Sequence, residues 1–437
     1  MRHPVILFLF CNQIHALNFR QEPGQDVFQE HPEASGTLMD DIFGSLITID
    51  NQFFPGQTSE QMQQYSGSDT THASASSVFK LNKLRFPEDD DLSDFTGLGP
   101  LYSGIVTFAH LPESNCFFDQ EEAIDIAISG APFDLGVSYN SGARFGPNGA
   151  RQGSRRLGSG NNPIRGNNKS SKLRRLDPYH AGLKIVDCGD VPMTPFDSRI
   201  ALNQLYRGQR AIHKHPSLNS TRYNQTRIVT LGGDHTITLM NLKSAFETFG
   251  EIDGLAVIHF DAHIDTWDPK VLGGGISDYA SLNHGTFLHY ATEAGYVSKN
   301  HSVHVGIRAP FISSDDERHD AEDCGFQTFT SKDIDIYGTR GIAKMIKKIV
   351  GDKKVYLTFD LDTFDVGLVN SGTLEAGGLS TREVLTILDG LEGIDLVGSD
   401  IVEVSTAPNT INSASTELLA AQVVDSLLGL MVVNDIP

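Results

Sequence analysis

Cysteine is scarce: four residues in 437, at Cys11, Cys116, Cys188 and Cys324. None falls in a Cys-x-x-Cys pair, which argues against a structural zinc knuckle, and four are too few for a disulfide scaffold. One disulfide can form, and the sequence leaves its pairing open. Positive charge is also in deficit. Thirty-four Lys and Arg stand against 55 Asp and Glu, a formal net charge of −21. That balance argues against nucleic acid or an anionic membrane surface as partner, while a cationic substrate remains compatible with it. Between Gln21 and Phe79 Lys and Arg are missing altogether, although nine acidic residues occur there. Gln, Ser, Gly and Thr dominate much of that stretch, so it reads as an acidic, mostly irregular extension. The apolar run Val5–Phe10 is far too short to span a bilayer as a helix.

That short run has another reading. Met1-Arg2 precedes it and Ala16 follows, the order of a secretory signal. Four Asn-x-Ser/Thr sequons, at Asn168, Asn219, Asn224 and Asn300, agree with a secreted or secretory-pathway chain. The expected organisation is a signal over residues 1–16, the acidic extension over 17–102 and one catalytic domain over 103–437.

Within the last of these, short Val/Ile-rich runs alternate with amphipathic stretches. Strands are expected at Ala123–Ser129, Lys184–Asp187, Arg227–Leu231, Gly254–Phe260, Ser302–Ile307, Lys354–Phe359 and Ile394–Val404. Helices are expected at Thr236–Phe249, Thr339–Val350, Thr381–Leu391 and Thr416–Val433. Strands apolar along their whole length suit a parallel sheet buried on both faces, and their alternation with helices indicates an α/β fold.

The chemistry-bearing residues gather just after these strands. Val257 to Phe260 runs into Asp261-Ala262-His263-Ile264-Asp265. If the chain stays extended there, residues 261, 263 and 265 project to one side. Val355 to Phe359 runs likewise into Asp360-Leu361-Asp362, and Ile228 to Leu231 into Gly232-Gly233-Asp234-His235. Sites in open α/β sheets form at the carboxyl ends of strands. Two carboxylates held close repel unless a cation neutralises them. His235, His263, Asp261, Asp265, Asp360 and Asp362 supply two imidazoles and four carboxylates and no thiolate. That set suits manganese or a similar divalent ion better than structural zinc, and its size suits two ions, ~3.5–4 Å apart.

These segments resemble the signatures of the arginase/agmatinase family, the ureohydrolases, and most closely those of fungal-type agmatinases. Gly130-Ala131-Pro132-Phe133-Asp134, Gly142 to Pro147, Asp187 to Pro192 and Trp267 to Lys270 share the resemblance, which covers roughly residues 103–433. It implies a three-layer α/β/α fold with a mostly parallel sheet, a dimanganese centre (two Mn2+ per subunit), and trimers or hexamers. It further implies that His235, Asp261, Asp265 and Asp360 hold one ion, and that Asp261, His263, Asp360 and Asp362 hold the other. His284 matches a proton-shuttling histidine, and Glu403 the glutamate that pairs with the guanidinium; Asp362 or His284 would protonate the leaving amine. The implied reaction cuts a small guanidino compound to urea and an amine, agmatine to putrescine in the first instance. Val366 after Asp365, Leu374 before Glu375, Asn140-Ser141, and Ser405 to Asn409 depart from the family pattern near where a substrate tail would sit. They leave open a relative such as 4-guanidinobutanoate, or an inactive scaffold. A phosphoesterase is disfavoured by the lack of a Gly-Asn-His motif, and a deacetylase by Gly-Gly-Asp-His and the Asp-x-Asp pair.

Overall fold

A computed structural model describes residues 106–118, 121–158, 165–250, 252–273, 278–406 and 412–435. The expected signal and acidic extension lie outside the described residues. In chain order the principal elements are β1 (Ile126–Ala131), α1 (Gly146–Gly153), β2 (Ile185–Asp190), α2 (Ser198–His213), β3 (Arg227–Gly232), α3 (Thr238–Phe249), β4 (Ala256–Phe260), α4 (Phe287–Glu293), β5 (Ser302–Ile307), β6 (Phe326–Thr330), α5 (Asp333–Val350), β7 (Lys354–Asp360), α6 (Thr381–Gly390), β8 (Asp395–Val402) and α7 (Ser413–Val433). The eight strands form one sheet in the order β2-β1-β3-β8-β7-β4-β5-β6, and every pair is parallel.

Strand alternation divides the core into layers. Ile126, Ile128, Val229, Leu231, Ile258, Val303, Val305, Val355, Leu357 and Phe359 face α1, α5, α6 and α7. Val257, Tyr356 and Val397 face α3 and α4, and Ala127, Val186 and Ile228 pack with Ile212 of α2. Helices on both faces make the three-layer α/β/α fold that the alternation of elements indicates. Helix α7 is long and apolar enough to cross a membrane, but 78% of its apolar window is buried inside the protein, as in a core helix.

All seven expected strands form, with ends shifted by three residues or fewer. Helix α5 starts six residues before the expected Thr339 because Gly338, at φ 67°, joins a first turn to the periodic segment. The edge strand β6 and helices α1, α2 and α4 were not among the expected elements. A disulfide links Cys116 and Cys188, and Cys324 is free and buried.

Candidate metal centre

The site lies where β3, β4, β7 and β8 end. Strand β3 stops at Gly232, and His235 begins a short 3-10 turn whose second amide is capped by Asp234 (Thr236 N to Oδ1, 2.9 Å). A side chain at Gly233 would collide with the carbonyls of Phe133 and Ala131, the latter at 2.7 Å, so glycine is required for this close course.

Period-two alternation does not bring the carboxylates together, which corrects the expectation. Strand β4 ends at Phe260, before Asp261. The chain then bends, and Asp265 takes a left-handed backbone, φ 54°. Asp360 is the last residue of β7, and Asp362 sits in the 3-10 turn Leu361–Thr363 that Asp360 caps (Asp362 N to Asp360 Oδ1, 2.7 Å). The side chains converge through turns.

They converge as two groups joined by Asp261. In the first, His235 Nδ1 is 3.0 Å from Asp261 Oδ2, 3.2 Å from Asp265 Oδ2 and 3.3 Å from Asp360 Oδ2. His259 Nε2 lies 3.0 Å from the same Asp261 oxygen. In the second, His263 Nδ1 is 3.1 Å from Asp261 Oδ1 and 3.0 Å from Asp362 Oδ2. The ligand atoms of His235, His259, Asp261 and Asp265 lie within 4.8 Å of one another, and so do those of Asp261, His263 and Asp362. His235 Nδ1, His259 Nε2, Asp261 Oδ2 and Asp362 Oδ2 are buried without hydrogen-bond partners. Buried polar atoms are ordinarily satisfied, so donor atoms aimed at shared points fit divalent cations.

The electrostatics agree. Burial, then Asp362 and Asp261, push Asp360 well above the usual carboxylate range. Burial and Asp261 raise Asp362 to about 6. Burial opposes charge on His235, yet Asp261, Asp265 and Asp360 hold its pKa well above the ordinary value. Burial pushes His259 down to about 3, which leaves a neutral, ligand-competent imidazole. A cluster so charged gains most from a cation.

Beside this cluster, His284 and Glu403 meet. Glu403 Oε1 accepts the backbone N–H of His235 at 3.0 Å and lies 3.3 Å from His284 Nδ1. Its Oε2 is buried and unpartnered, and its own backbone is left-handed, φ 55°. His284 Nε2 faces Ser138 Oγ at 2.9 Å. Burial works against charge on His284, but Glu403 raises its pKa. A cavity of about 120 Å³ is lined by Ser138, His263, Asp265, Trp267, His284 and Asp360, among others. Glu403 is fully buried and reaches this cavity by way of His284. All eight site residues read from the sequence therefore gather in one place.

His259 is the residue missed. It precedes Asp261 by two, so the same alternation carried one step back along β4 would have pointed to it. Its Nδ1 lies 2.7 Å from His304 Nδ1, and His304 Nε2 lies 2.9 Å from Asp320 Oδ1. Glu375, with Oε1 3.7 Å from His263 Nε2, was also missed as a site residue.

Fold and site together define a metal-dependent α/β/α hydrolase. A family model described as Arginase family matches residues 124–429. The chain is 41% identical over 359 residues to a Schizosaccharomyces pombe protein named "Putative agmatinase 1", a match covering 79% of this chain and 86% of that one. It is 31% identical over 333 residues to guanidinopropionase of Pseudomonas aeruginosa, covering 76% and 93%. The solved structure of proclavaminate amidino hydrolase from Streptomyces clavuligerus matches with a TM-score of 0.63 at 30% identity, covering 76% of this chain and 99% of that one. The chain belongs to the arginase family and is an agmatinase-like ureohydrolase acting on guanidino compounds.

Proposed function

We propose that this hydrolase converts agmatine to putrescine and urea with two manganese ions. The observation that carries the reading is the pair of ligand groups sharing Asp261, set beside a buried carboxylate with one free oxygen. His235, Asp261, Asp265 and Asp360 would hold one ion, and Asp261, His263, Asp360 and Asp362 the other, with His259 completing or orienting the first group. The oxygen-rich donor set suits manganese. When bound, the ions supply a hydroxide nucleophile at neutral pH and stabilise the charge that develops on the attacked carbon.

The chain's own residues do the rest. Glu403 Oε2 accepts an N–H of the planar guanidinium, a charge-assisted bond that orients the central carbon. Its Oε1 keeps the His235 amide in place. His284, whose Nδ1 stays beside Glu403 Oε1 and which lines the cavity, carries a proton to the departing amine nitrogen. Asp362, 3.0 Å from His263 Nδ1, is the second residue placed beside the reacting centre to take part in that transfer. Neither Lys nor Arg lines the cavity among the described residues, whereas the Glu375 carboxylate stands at His263. A cationic tail such as the agmatine amine suits these surroundings better than the carboxylate tail of 4-guanidinobutanoate. The relatives named agmatinases support the same substrate.

Urea release from agmatine, 4-guanidinobutanoate, 3-guanidinopropionate and arginine tests the reading, with manganese-reconstituted protein and a His263→Ala/Asp360→Ala control. Urea from agmatine, absent in the control, is the expected result; no urea from any compound despite bound metal sinks the proposal. The enzyme acts in the secretory pathway or outside the cell, as a homo-oligomer. The N-terminal apolar run, four exposed sequon asparagines and the Cys116–Cys188 disulfide support that address, since disulfides persist in oxidising compartments. Recovery of an unglycosylated chain from the cytosol of its own cells would contradict it.

A further inference from the structure

Away from the catalytic site, the described residues contain one more group of three metal-ligating side chains: His289, His319 and Cys324. His289 lies on α4. His319 and Cys324 begin and end a π-helical segment, His319–Cys324. An α-helix would set residues five apart about 140° from one another around its axis. The wider π turn, bonded i to i+5, aligns them on one side, and such turns recur at functional sites.

Two separations define the group. His289 Nδ1 is 3.0 Å from His319 Nε2, and Cys324 Sγ is 3.7 Å from the same His319 nitrogen. Zinc bonds of about 2.0–2.1 Å to nitrogen and about 2.3 Å to sulfur at tetrahedral angles give N-to-N edges of about 3.4 Å and N-to-S edges of about 3.6 Å. Both observed separations fall within about 0.4 Å of these edges.

The outer contacts point the same way. His319 Nδ1 lies 3.0 Å from Asp323 Oδ2, the carboxylate–histidine arrangement that puts the ring proton on Nδ1 and frees Nε2 for a metal. His289 Nε2 has Glu293 Oε2 at 3.9 Å. A hydrogen bond between the two rings would account for their approach alone. With its ring proton on Nδ1, His319 Nε2 offers one lone pair, yet both His289 Nδ1 and the buried Cys324 thiol converge on it; a cation between the three satisfies them together. The His289 and His319 side chains are 21% and 16% exposed, so the fourth position opens to solvent.

We propose that His289 Nδ1, His319 Nε2 and Cys324 Sγ form a second metal site, for a borderline-soft divalent ion such as zinc(II), with water as fourth ligand. One thiolate and two imidazoles select this class of ion, whereas the oxygen-rich catalytic centre selects a harder one. On loading, the sulfur–metal bond replaces the S–H bond and the proton leaves to solvent. The ion would tie α4, which directly follows the loop carrying His284, to the segment leading into β6.

The test titrates the manganese-loaded, full-length enzyme with cobalt(II) and follows the thiolate-to-cobalt charge-transfer band. Ligands of the catalytic centre are oxygen and imidazole and give no such band. The band should saturate near about one equivalent, as for a single tetrahedral site, and disappear on adding zinc(II). Cys324→Ser should abolish it. His289→Ala should weaken cobalt affinity by more than about tenfold, and Asp323→Asn by about 10–100-fold with the band retained. His289→Ala alters a partly exposed side chain, so it carries the test if Cys324→Ser does not fold. Absence of the band in the wild-type enzyme overturns the proposal. So does a band that survives Cys324→Ser, or unchanged affinity in His289→Ala.

Discussion

Gly372→Ala should disable catalysis while leaving the metal ligands in place. Gly372 packs against the free oxygen of Glu403. A methyl group there would overlap Glu403 Oε2 and meet Val137 Cγ2 at 2.6 Å, whereas ordinary contact begins near 3.4 Å. Glu403 is fully buried and its other oxygen is fixed by the His235 amide at 3.0 Å, so the carboxylate has little room to retreat. Relief requires a displacement of about 1 Å, and a misplacement of that size costs about a hundredfold in rate. An independent figure agrees: losing one hydrogen bond to a charged group costs about 1.5–3 kcal/mol, roughly ten- to 150-fold. The assay is urea release at saturating manganese, with kcat/KM compared between wild type and variant, alongside bound metal and thermal unfolding. The expected outcome is a fall in kcat/KM of about a hundredfold with both ions still bound. Wild-type kcat/KM would refute the role given to Glu403. A loss of activity that tracks a loss of metal would refute the separation drawn here between carboxylate and metal cluster.

Asp261→Asn should lose both ions, because its two oxygens serve different groups, Oδ2 facing His235 and His259 and Oδ1 facing His263. Asp362→Asn should lose only the ion beside His263, and elemental analysis that finds two ions in Asp261→Asn refutes the bridging position. His213 supplies a pH dependence away from the site: burial lowers its pKa from 6.5 to about 4. The unfolded chain therefore binds this proton more tightly, so stability is fully present above pH 6.5 and is lost as pH falls toward 4, by at most ~3 kcal/mol. Denaturant unfolding of His213→Asn across that range should show a flatter profile, and an unchanged slope would count against it. The Cys116–Cys188 bridge closes a loop with sequence separation 72, for which loop entropy gives an upper figure of ~4 kcal/mol. A Cys116→Ala/Cys188→Ala variant that loses less than ~1 kcal/mol would show that the unfolded chain is not constrained as this loop length requires.

Elements buried on both faces were legible because burial leaves continuous apolar runs. Strand β6 was not, since it lies at the sheet edge and only Phe326 of its five residues is buried. Helix α2 is polar over much of its surface, yet Asp197, which caps it by accepting the Ile200 amide, was a visible start signal. The ligands were legible because carboxylates and imidazoles crowd the ends of apolar strands. Their manner of convergence was not. Alternation would have sufficed only for an extended chain, whereas Asp265 and Glu403 adopt left-handed backbones and Asp362 sits in a 3-10 turn. Such backbones cost about 1–3 kcal/mol each for residues other than glycine, so no local preference selects them; the surrounding packing must. The His259–His304–Asp320 chain shows the same limit. His259 shares the parity of Asp261 and His263, but its partners are reachable only because β4 pairs with β5 in a register that sets His259 opposite His304. That register depends on sheet order, a long-range property that no single segment of the sequence encodes.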